Sequence, residues 1–336
     1  MLAGPLFLAT RALFCRGQLN QAVSLTRFHS NGSSESSQKT MALLDARVDA
    51  YGGVIVCPDA VCRHADPESF RSSLTASLDD WRQSGTRGVW LQLRFPSCAA
   101  LVSVAADLGF APHHAEKDYI MMTAWLPDTP CTLPANASHQ VGVGMFVTHR
   151  APDGQTYVLC VQEKNGVLKG KNVWKMPTGL VNEREDITEA AVREVLEETG
   201  LPVSFDAVIA LRQSHGWAFG KSDMFFVLAM TPRVPPGTPL KDIVLNPQET
   251  EIDAVAWRTL DEFTSEAFFQ GRPLFRKIMG ACRRYAEGTY SGLRALKLGH
   301  GLSDREDLLM FAEAEEDVSG FDGGTPPRLK SEVWMS

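Results

Sequence analysis

The chain has 336 residues, is 44% hydrophobic and 22% charged, and carries a formal net charge of −7 at pH 7. This length allows about two domains with sizeable cores. The sequence contains no apolar run of the ~18 residues that a membrane span needs, and no basic stripe of the kind found in nucleic-acid-binding proteins. We therefore expect neither a membrane nor a nucleic acid as a partner.

The seven cysteines are dispersed along the chain, and no C-x-x-C pair occurs. A structural zinc site normally needs such closely spaced pairs, so the pattern argues against one. An odd and dispersed set of cysteines indicates reduced thiols in a reducing compartment.

Residues 1–40 differ in composition from the rest of the chain, because basic side chains outnumber the single acid, Glu35, and a serine-rich run follows. This composition is typical of an organellar transit peptide. We therefore expect a leader at residues 1–40 and a mitochondrial protein. A chloroplast leader and a cytoplasmic form that starts at Met41 are the alternatives.

Residues 43–127 alternate between strand and helix patterns. In chain order these are a strand at Val54–Val56, a helix at Pro67–Gly85, a strand at Gly88–Leu93, a helix at Cys98–Leu108 and a strand at Tyr119–Leu126. This order predicts a small α/β accessory domain, loosely similar to half of an acetyltransferase fold but without a glycine-rich pantetheine loop. His113 and His114 fall in a predicted turn, where a solvated or packing role is favoured over metal binding.

A proline-containing linker leads to a second predicted domain at residues 137–290. Strands are predicted at 141–148, 156–162, 207–213, 224–230 and 255–258, with one long polar helix before residue 200 and another at 273–287. Strands with only a few helices predict a mixed α/β, or α+β, sandwich. Residues 291–336 turn acidic and then rich in glycine and proline, so we expect a partly disordered tail.

The long polar helix has a start signal at its N-terminal end and a stop signal at its C-terminal end. Asp186 with Glu189 three residues later predicts an N-terminal capping box, and Gly200 is placed to adopt the left-handed conformation after the last turn. Val192, Val195 and Leu196 are the apolar residues between these ends, and we expect them to form its buried stripe.

Three glutamates, Glu194, Glu197 and Glu198, are spaced so that they share one face of this helix. They lie near the helix C-terminus, where the macrodipole disfavours negative charge. A solvated acidic face is the ordinary explanation of such a run, but it would include lysines four residues away. A divalent cation accounts for the cluster better, because carboxylate oxygens suit Mg²⁺ or Mn²⁺.

The segment that contains these glutamates resembles the Nudix box. Gly179, Glu185, the run Arg193-Glu194-Val195, the pair Glu197-Glu198 and the pair Gly200-Leu201 stand at the spacing of that motif. The runs W-K-M-P-T-G at 174–179 and R-Q-S-H at 212–215 are similar to a two-domain Nudix subgroup. That subgroup includes the plant ADP-ribose/NADH pyrophosphatases and the animal antisense fibroblast growth factor protein, and the resemblance covers residues 43–287.

The resemblance implies a Nudix α/β/α sandwich with a mixed sheet, and a Mg²⁺ or Mn²⁺ cofactor. The implied metal ligands are Glu194, Glu197, Glu198 and the carbonyl of Gly179. It also implies that Arg193 pairs with Glu185, and that Gly179, Glu185, Arg193 and Gly200 are structural positions of the box. Thr178 and Arg184 stand where many family members have glycine, which leaves the geometry of the loop open.

The implied reaction is hydrolysis of the diphosphate linkage in a nucleoside diphosphate derivative, with release of a nucleoside monophosphate. The candidate catalytic residues are Glu197, Glu194, Arg193 and Glu251. For the proton acceptor, the sequence leaves Glu197 in the box and Glu249 or Glu251 in a later loop as alternatives.

The expected substrate is ADP-ribose or NADH; CoA, oxidised nucleotides and dinucleoside polyphosphates remain open. Trp217, Phe219 and Phe226 could stack on a base, although aromatic residues near strands more often belong to a core. The alternative function is a nucleotide-sensing regulatory module with little catalysis. A homodimer is possible from the family resemblance.

Overall fold

The computed structural model describes residues 43–64, 66–216, 218–299 and 306–312. Among these, residues 43–138 belong to one compact unit and residues from 139 onward to a second. The predicted leader at residues 1–40 and Trp217 lie outside the described residues. No helix in the described ranges is long and apolar enough to cross a membrane.

The first unit is an α/β structure around a five-stranded sheet of order β1-β2-β3-β5-β4. Its elements are β1 Ala46–Val48, β2 Val54–Val56, α1 Pro58–Cys62, α2 Pro67–Gln83, β3 Gly88–Arg94, α3 Leu101–Asp107, β4 Ala111–Ala115 and β5 Tyr119–Trp125. β2 pairs with β3 in parallel, and the other strand pairs are antiparallel.

Helix α2 follows directly from its sequence. The Asp66 carboxylate accepts a hydrogen bond from the Ser69 backbone N–H at 2.9 Å, and Pro67 occupies the first turn, where its missing N–H has no cost. Its apolar residues recur at helical spacing and are buried in the core of this unit, namely Phe70, Leu74, Leu78 and Trp81.

The prediction that His113 and His114 lie in a turn is wrong. Both residues are part of β4, which pairs with β5 in an antiparallel ladder. His113 packs edge-on against Trp90, with 5.0 Å between the ring centroids. The segment does not alternate regularly between polar and apolar residues, so its strand conformation depends on hydrogen bonds from β5 that local sequence does not reveal.

The second unit contains a sheet of order β11-β7-β6-β10-β9, with β8 paired to β6. Its elements are β6 His139–Arg150, β7 Thr156–Glu163, β8 Thr178–Leu180, α4 Ile187–Thr199, β9 Val203–Ser214, β10 Ser222–Pro232, β11 Ile252–Thr259, α5 Leu260–Ser265, α6 Ala267–Gln270, α7 Pro273–Ala286, β12 Arg294–Gly299 and β13 Glu306–Phe311. β10 runs parallel to β6, whereas β7 and β8 are antiparallel to it, so the sheet is mixed.

Helices cover both faces of this sheet. Successive residues of a strand point to opposite faces. On β6, Met145 belongs to the apolar cluster that includes Val195 of α4, whereas its neighbour Phe146 belongs to the cluster that includes Phe263 of α5. The rings of Phe146 and Phe263 are 5.7 Å apart. The predicted α/β/α sandwich with a mixed sheet is confirmed.

β12 and β13 form a separate two-stranded antiparallel sheet within the region predicted as an acidic tail. This sheet is tied to the start of α4, because Lys297 Nζ lies 2.7 Å from an Asp186 carboxylate oxygen and 2.8 Å from one of Glu189. Residues 300–305 and 313–336 of the predicted tail lie outside the described residues.

Candidate functional site

The two ends of α4 have the predicted chemistry. Asp186 N donates a hydrogen bond to Glu189 Oε2 at 3.3 Å, as part of a capping box. Gly200 adopts a left-handed φ of 72°, and its N–H donates to the Leu196 carbonyl at 2.9 Å. A side chain at position 200 would also crowd Asn246. These ends fix the orientation of the three glutamates relative to the sheet.

The buried face of α4 differs from the predicted one. Leu196 is 49% exposed, whereas Val195 and Glu198 are buried. The prediction that Leu196 lies in the buried stripe is therefore wrong. The residues that face the sheet are Ala191, Val195 and Glu198, because their spacing of four and then three positions keeps them on one side of a helix. Glu198 thus belongs to the buried face, with Glu194 and Glu197 at its border.

Arg193 connects three carboxylates. Its Nε and Nη2 atoms donate to the two oxygens of Glu185 at 2.6 and 2.8 Å. Its Nη1 donates to Glu194 at 2.6 Å and to Glu197 at 3.3 Å, and Nη2 also reaches the Leu180 carbonyl. The planar guanidinium fork makes such a two-point contact possible. Arg193 thereby holds the loop after β8 against the helix.

The contacts between Arg193 and Glu185 also set the protonation of these two side chains. Partial burial alone would raise the pKa of Glu185, but hydrogen bonds from Arg193 and Asn182 outweigh it, and the pKa is lowered. The hydrogen bond with Glu185 is the largest cause that raises the pKa of Arg193. Both groups are charged at neutral pH.

Gly179 lies directly beneath the Glu194 side chain. A Cβ atom at position 179 would be 2.0 Å from Glu194 Cδ and 2.4 Å from its Oε1. Only glycine leaves room for the carboxylate in this position. The structure therefore brings together the Gly179 backbone and the Glu194 side chain, two of the groups that the sequence nominates as metal ligands.

Glu198 is 4% exposed, and its buried Oε2 atom has no hydrogen-bond partner among the described residues. Burial raises the pKa of this carboxyl to about 8; the charge of Lys175 and a hydrogen bond from the Thr178 N–H oppose the rise, and Glu194 adds to it. A buried carboxylate oxygen without a partner is costly in a native protein. It is also an available ligand for a cation.

Lys175 is a residue of this site that the sequence analysis did not identify. Its side chain is almost fully buried, and Nζ lies 2.9 Å from Glu163 Oε1 and 2.7 Å from Thr178 Oγ1. Thr178 supplies the acceptor at a position where glycine is common in the family. A lysine within the apolar run W-K-M-P, preceding the box, is the only signal that the sequence offers.

The loop at 246–251 packs on the C-terminal end of α4. Asn246 N–H donates to the Thr199 carbonyl at 2.7 Å, and Gln248 N–H to the Glu198 carbonyl at 3.1 Å. The last carbonyls of the helix thus have backbone donors, which offsets part of the unfavourable charge placement. Glu251, the alternative proton acceptor, ends this loop directly before β11, and its carbonyl accepts a hydrogen bond from the Lys164 N–H at 2.8 Å.

The proposed stacking residues are in different settings. Phe219 is fully exposed, with a left-handed φ of 57° in the connection between β9 and β10. Phe226 is partly buried against the apolar cluster on the α4 side of the sheet. The core interpretation therefore fits Phe226, whereas a stacking role for Phe219 stays a prediction.

The chemistry of these carboxylates suits a cation, although among the described residues they do not converge on a complete coordination site. Among the described residues, no three histidine, cysteine, aspartate or glutamate side chains converge closely enough to hold a metal ion as they stand. Glu194 and Glu197 are both engaged by Arg193 Nη1. The unpartnered Oε2 of Glu198 and the hard oxygen donors of the set nevertheless match what Mg²⁺ and Mn²⁺ require.

The sandwich fold and the glutamate helix define a class of hydrolases, and comparisons with known proteins agree. A family profile described as the NUDIX domain matches residues 138–278, and one described as a Nudix hydrolase domain matches residues 44–126. Nudix hydrolase 2 of Arabidopsis thaliana is 40% identical over 263 residues, which are 78% of this chain and 89% of that protein. Nudix hydrolase 8 of the same plant is 41% identical over 283 residues, 84% of this chain and 73% of that protein.

The human protein named nucleoside diphosphate-linked moiety X motif 6 is 41% identical over 194 residues, 56% of this chain and 59% of that protein. The chain belongs to the Nudix hydrolase family. It is therefore a hydrolase of nucleoside diphosphate derivatives, in a family whose members generally need a divalent metal cation.

Proposed function

We propose that this protein hydrolyses the diphosphate linkage of ADP-ribose or NADH, with Mg²⁺ or Mn²⁺, and releases a nucleoside monophosphate. The observation that carries the metal assignment is the buried Glu198 Oε2, which has no hydrogen-bond partner in the part of the chain that the structure describes and lies on the same helix as Glu194 and Glu197. The choice of ADP-ribose or NADH rests on the resemblance of residues 43–287 to the two-domain subgroup.

The carboxylates of Glu194, Glu197 and Glu198 and the carbonyl of Gly179 would hold the cation. A cation held there would supply positive charge against the diphosphate and make the attacking water more acidic. Arg193 orients Glu194 and Glu197 through its Nη1 atom, so these carboxylates are positioned before substrate arrives. Such positioning reduces the reorganisation that accompanies the reaction.

A carboxylate must also accept the proton of the attacking water. Glu197 is our first candidate, because its side chain is 31% exposed and a water can reach it. Glu251 is the second candidate, because the 246–251 loop packs on the same end of α4. A pH–rate profile of the Glu251→Gln variant distinguishes them: loss of the acidic limb in this variant would assign the role to Glu251, whereas a retained limb favours Glu197.

The substrate assignment is tested by nucleoside monophosphate release from ADP-ribose, NADH, CoA and 8-oxo-dGTP. Full-length protein is assayed with Mg²⁺, with Mn²⁺ and with EDTA. We expect metal-dependent release from ADP-ribose or NADH at a kcat/KM at least about tenfold above the other two, a difference of roughly 1.4 kcal/mol in transition-state binding. Preference for CoA or 8-oxo-dGTP would contradict the substrate assignment. Absence of turnover with every substrate would favour the sensor function.

We also propose that residues 1–40 direct the protein to mitochondria. Their excess of basic over acidic residues supports this assignment. A fusion of residues 1–40 to a fluorescent protein is expected to enter mitochondria, and a chain that starts at Met41 is expected to stay outside while keeping full activity. Import of that shortened chain, or loss of its activity, would contradict the assignment.

A further inference from the structure

Two cysteine side chains in the first unit are in direct contact. The Sγ atoms of Cys62 and Cys98 are 3.2 Å apart, although 36 positions separate the residues in the sequence. Cys62 is the last residue of α1, and Cys98 lies in the segment between β3 and α3. Both are free thiols. The fold therefore creates a dithiol pair that the dispersed cysteines of the sequence do not predict.

The two thiols differ in accessibility. Cys62 is exposed, whereas Cys98 is 1% exposed and belongs to the core of its unit. The backbone N–H of Cys98 is held by the Arg94 carbonyl at 2.7 Å. A small reagent in solution can thus reach the sulfur of Cys62 directly, but it can reach Cys98 only through Cys62.

The surroundings of the pair lower the reactivity of the Cys62 thiol at neutral pH. Burial is the largest cause that raises the pKa of Cys62, and the hydrogen bond and charge of Cys98 add to it, while Ser97 and Arg94 oppose it. Only a small fraction of Cys62 is therefore thiolate, which is the reactive form. Contact with Cys98 provides an immediate second nucleophile once the first thiolate has reacted.

We propose that Cys62 and Cys98 form a modification site that a low-molecular-weight disulfide, such as oxidised glutathione, converts to an intramolecular disulfide. The Cys62 thiolate attacks one sulfur of the reagent, forms a mixed disulfide and releases one glutathione thiolate. The Cys98 thiolate then attacks the Cys62 sulfur and releases the second glutathione. One reagent disulfide is reduced to two thiols, and the two protein thiols are oxidised to one disulfide.

The product crosslinks the end of α1 to the segment before α3, and the closed loop contains α2 and β3. Closing a loop of this length in the unfolded chain raises stability. For a unit of this size, the expected rise in the Tm of the oxidised protein is roughly 5–15 °C.

The test is peptide mapping under non-reducing conditions after incubation of full-length protein in glutathione buffers of increasing oxidation, with free thiols blocked by an alkylating agent. We expect a Cys62–Cys98 linked peptide in the wild type, and its loss on addition of excess reduced glutathione. Cys131 is exposed, so its glutathionylation reports that the reagent is active. The Cys131→Ser variant is expected to keep the linked peptide.

The single variants separate the two steps. In Cys98→Ser, we expect Cys62 to accumulate as the mixed disulfide with glutathione, because the resolving thiol is absent. In Cys62→Ser, we expect Cys98 to remain unmodified while the protein is folded. A wild type that accumulates glutathionylated Cys62 with Cys98 still alkylatable would overturn the proposal. Full alkylation of both cysteines in buffers that modify Cys131 would overturn it as well.

Discussion

The Glu194 carboxylate occupies the space that a side chain at position 179 would need. A Cβ atom on Gly179 would be 2.0 Å from Glu194 Cδ, far inside van der Waals contact. The backbone of the P-T-G turn and the central glutamate of α4 therefore determine each other's position. A substitution at either residue acts on both of the proposed metal ligands.

Gly179→Ala is expected to displace Glu194 and lower kcat about 100-fold, since misplacement of a catalytic group by about 1 Å has effects of this size. The protein should remain folded, with a destabilisation of about 1–3 kcal/mol from overpacking. Steady-state kinetics and thermal unfolding measure the two effects.

Gly280→Ala is the matched control. Gly280 lies inside α7, and its added Cβ would meet only the Arg284 guanidinium at 3.7 Å. We expect this variant to be slightly stabilised, by roughly 0.5–1 kcal/mol, with unchanged kcat. A Gly179→Ala variant that is as active as Gly280→Ala would show that the contact with Glu194 has no catalytic importance.

Glu198 predicts a distinctive dependence of stability on pH in the absence of metal. Its folded-state pKa is raised to about 8 from an ordinary value of 4.5. Between these values the folded protein holds a proton that the unfolded chain has released, so the free energy of unfolding falls as pH rises through this window. The total loss is on the order of a few kcal/mol.

The Glu198→Gln variant cannot ionise at position 198, and it should lose this component of the pH dependence. Urea unfolding in EDTA is expected to show the variant more stable than the wild type at alkaline pH, with the difference vanishing in acid. Parallel stability curves for the two proteins would mean that the buried carboxyl is not protonated in the folded state.

Lys175 supports the turn that carries Thr178 and Gly179. In Lys175→Met, the Glu163 carboxylate loses its buried partner, and we expect a destabilisation of about 3–5 kcal/mol. Loss of the hydrogen bond to Thr178 Oγ1 should also lower metal affinity or turnover about 10- to 100-fold. Isothermal titration with Mn²⁺ and steady-state kinetics measure these quantities.

The double variant Lys175→Met with Glu163→Gln separates stability from positioning. It should regain stability, because no unpaired buried charge remains, yet it should stay impaired in metal affinity or turnover. Recovery of both properties would assign Lys175 a purely structural role. Arg71→Met, which breaks an exposed ion pair with Asp107 in the first unit, is the control and should change stability by less than about 1 kcal/mol.

Arg184 has a left-handed backbone with φ of 62°, at a position where glycine is common in the family. The loop therefore keeps the conformation that glycine favours, with some strain. Arg184→Gly and Arg184→Ala both remove the exposed guanidinium, but only glycine relieves the strain. We expect the glycine variant to be more stable than the alanine variant by about 1 kcal/mol in urea unfolding. Equal stability would mean that the loop relaxes to another conformation.

Local chemistry made the ends of α4 predictable. Asp186 with Glu189 and the left-handed Gly200 follow from capping rules that depend on a few adjacent residues. The spacing of apolar residues likewise predicted five strands of the second unit, β6, β7, β9, β10 and β11, although the observed strands extend a few residues further at most ends. The strands β1 and β8 escaped prediction, since each is only three residues long.

Tertiary packing determined what the sequence could not show. The three glutamates are equivalent by spacing, yet Glu198 faces the sheet because Ala191 and Val195 face it. Lys175 and Glu163 lie on separate segments. The pairing of Lys175 with Val161, two residues before Glu163, brings them together. The Cys62–Cys98 contact has the same origin, in a fold that joins residues distant in the sequence.

The most direct test of the account is the rate of nucleoside monophosphate release from ADP-ribose at saturating substrate as Mg²⁺ is varied. The wild type is compared with Glu194→Gln and Glu198→Gln. We expect a rate that requires Mg²⁺ in the wild type and falls by at least about 100-fold in both variants, because metal-ion stabilisation of several kcal/mol is lost. A folded variant with near-normal turnover would contradict the assignment of the α4 carboxylates as the metal site.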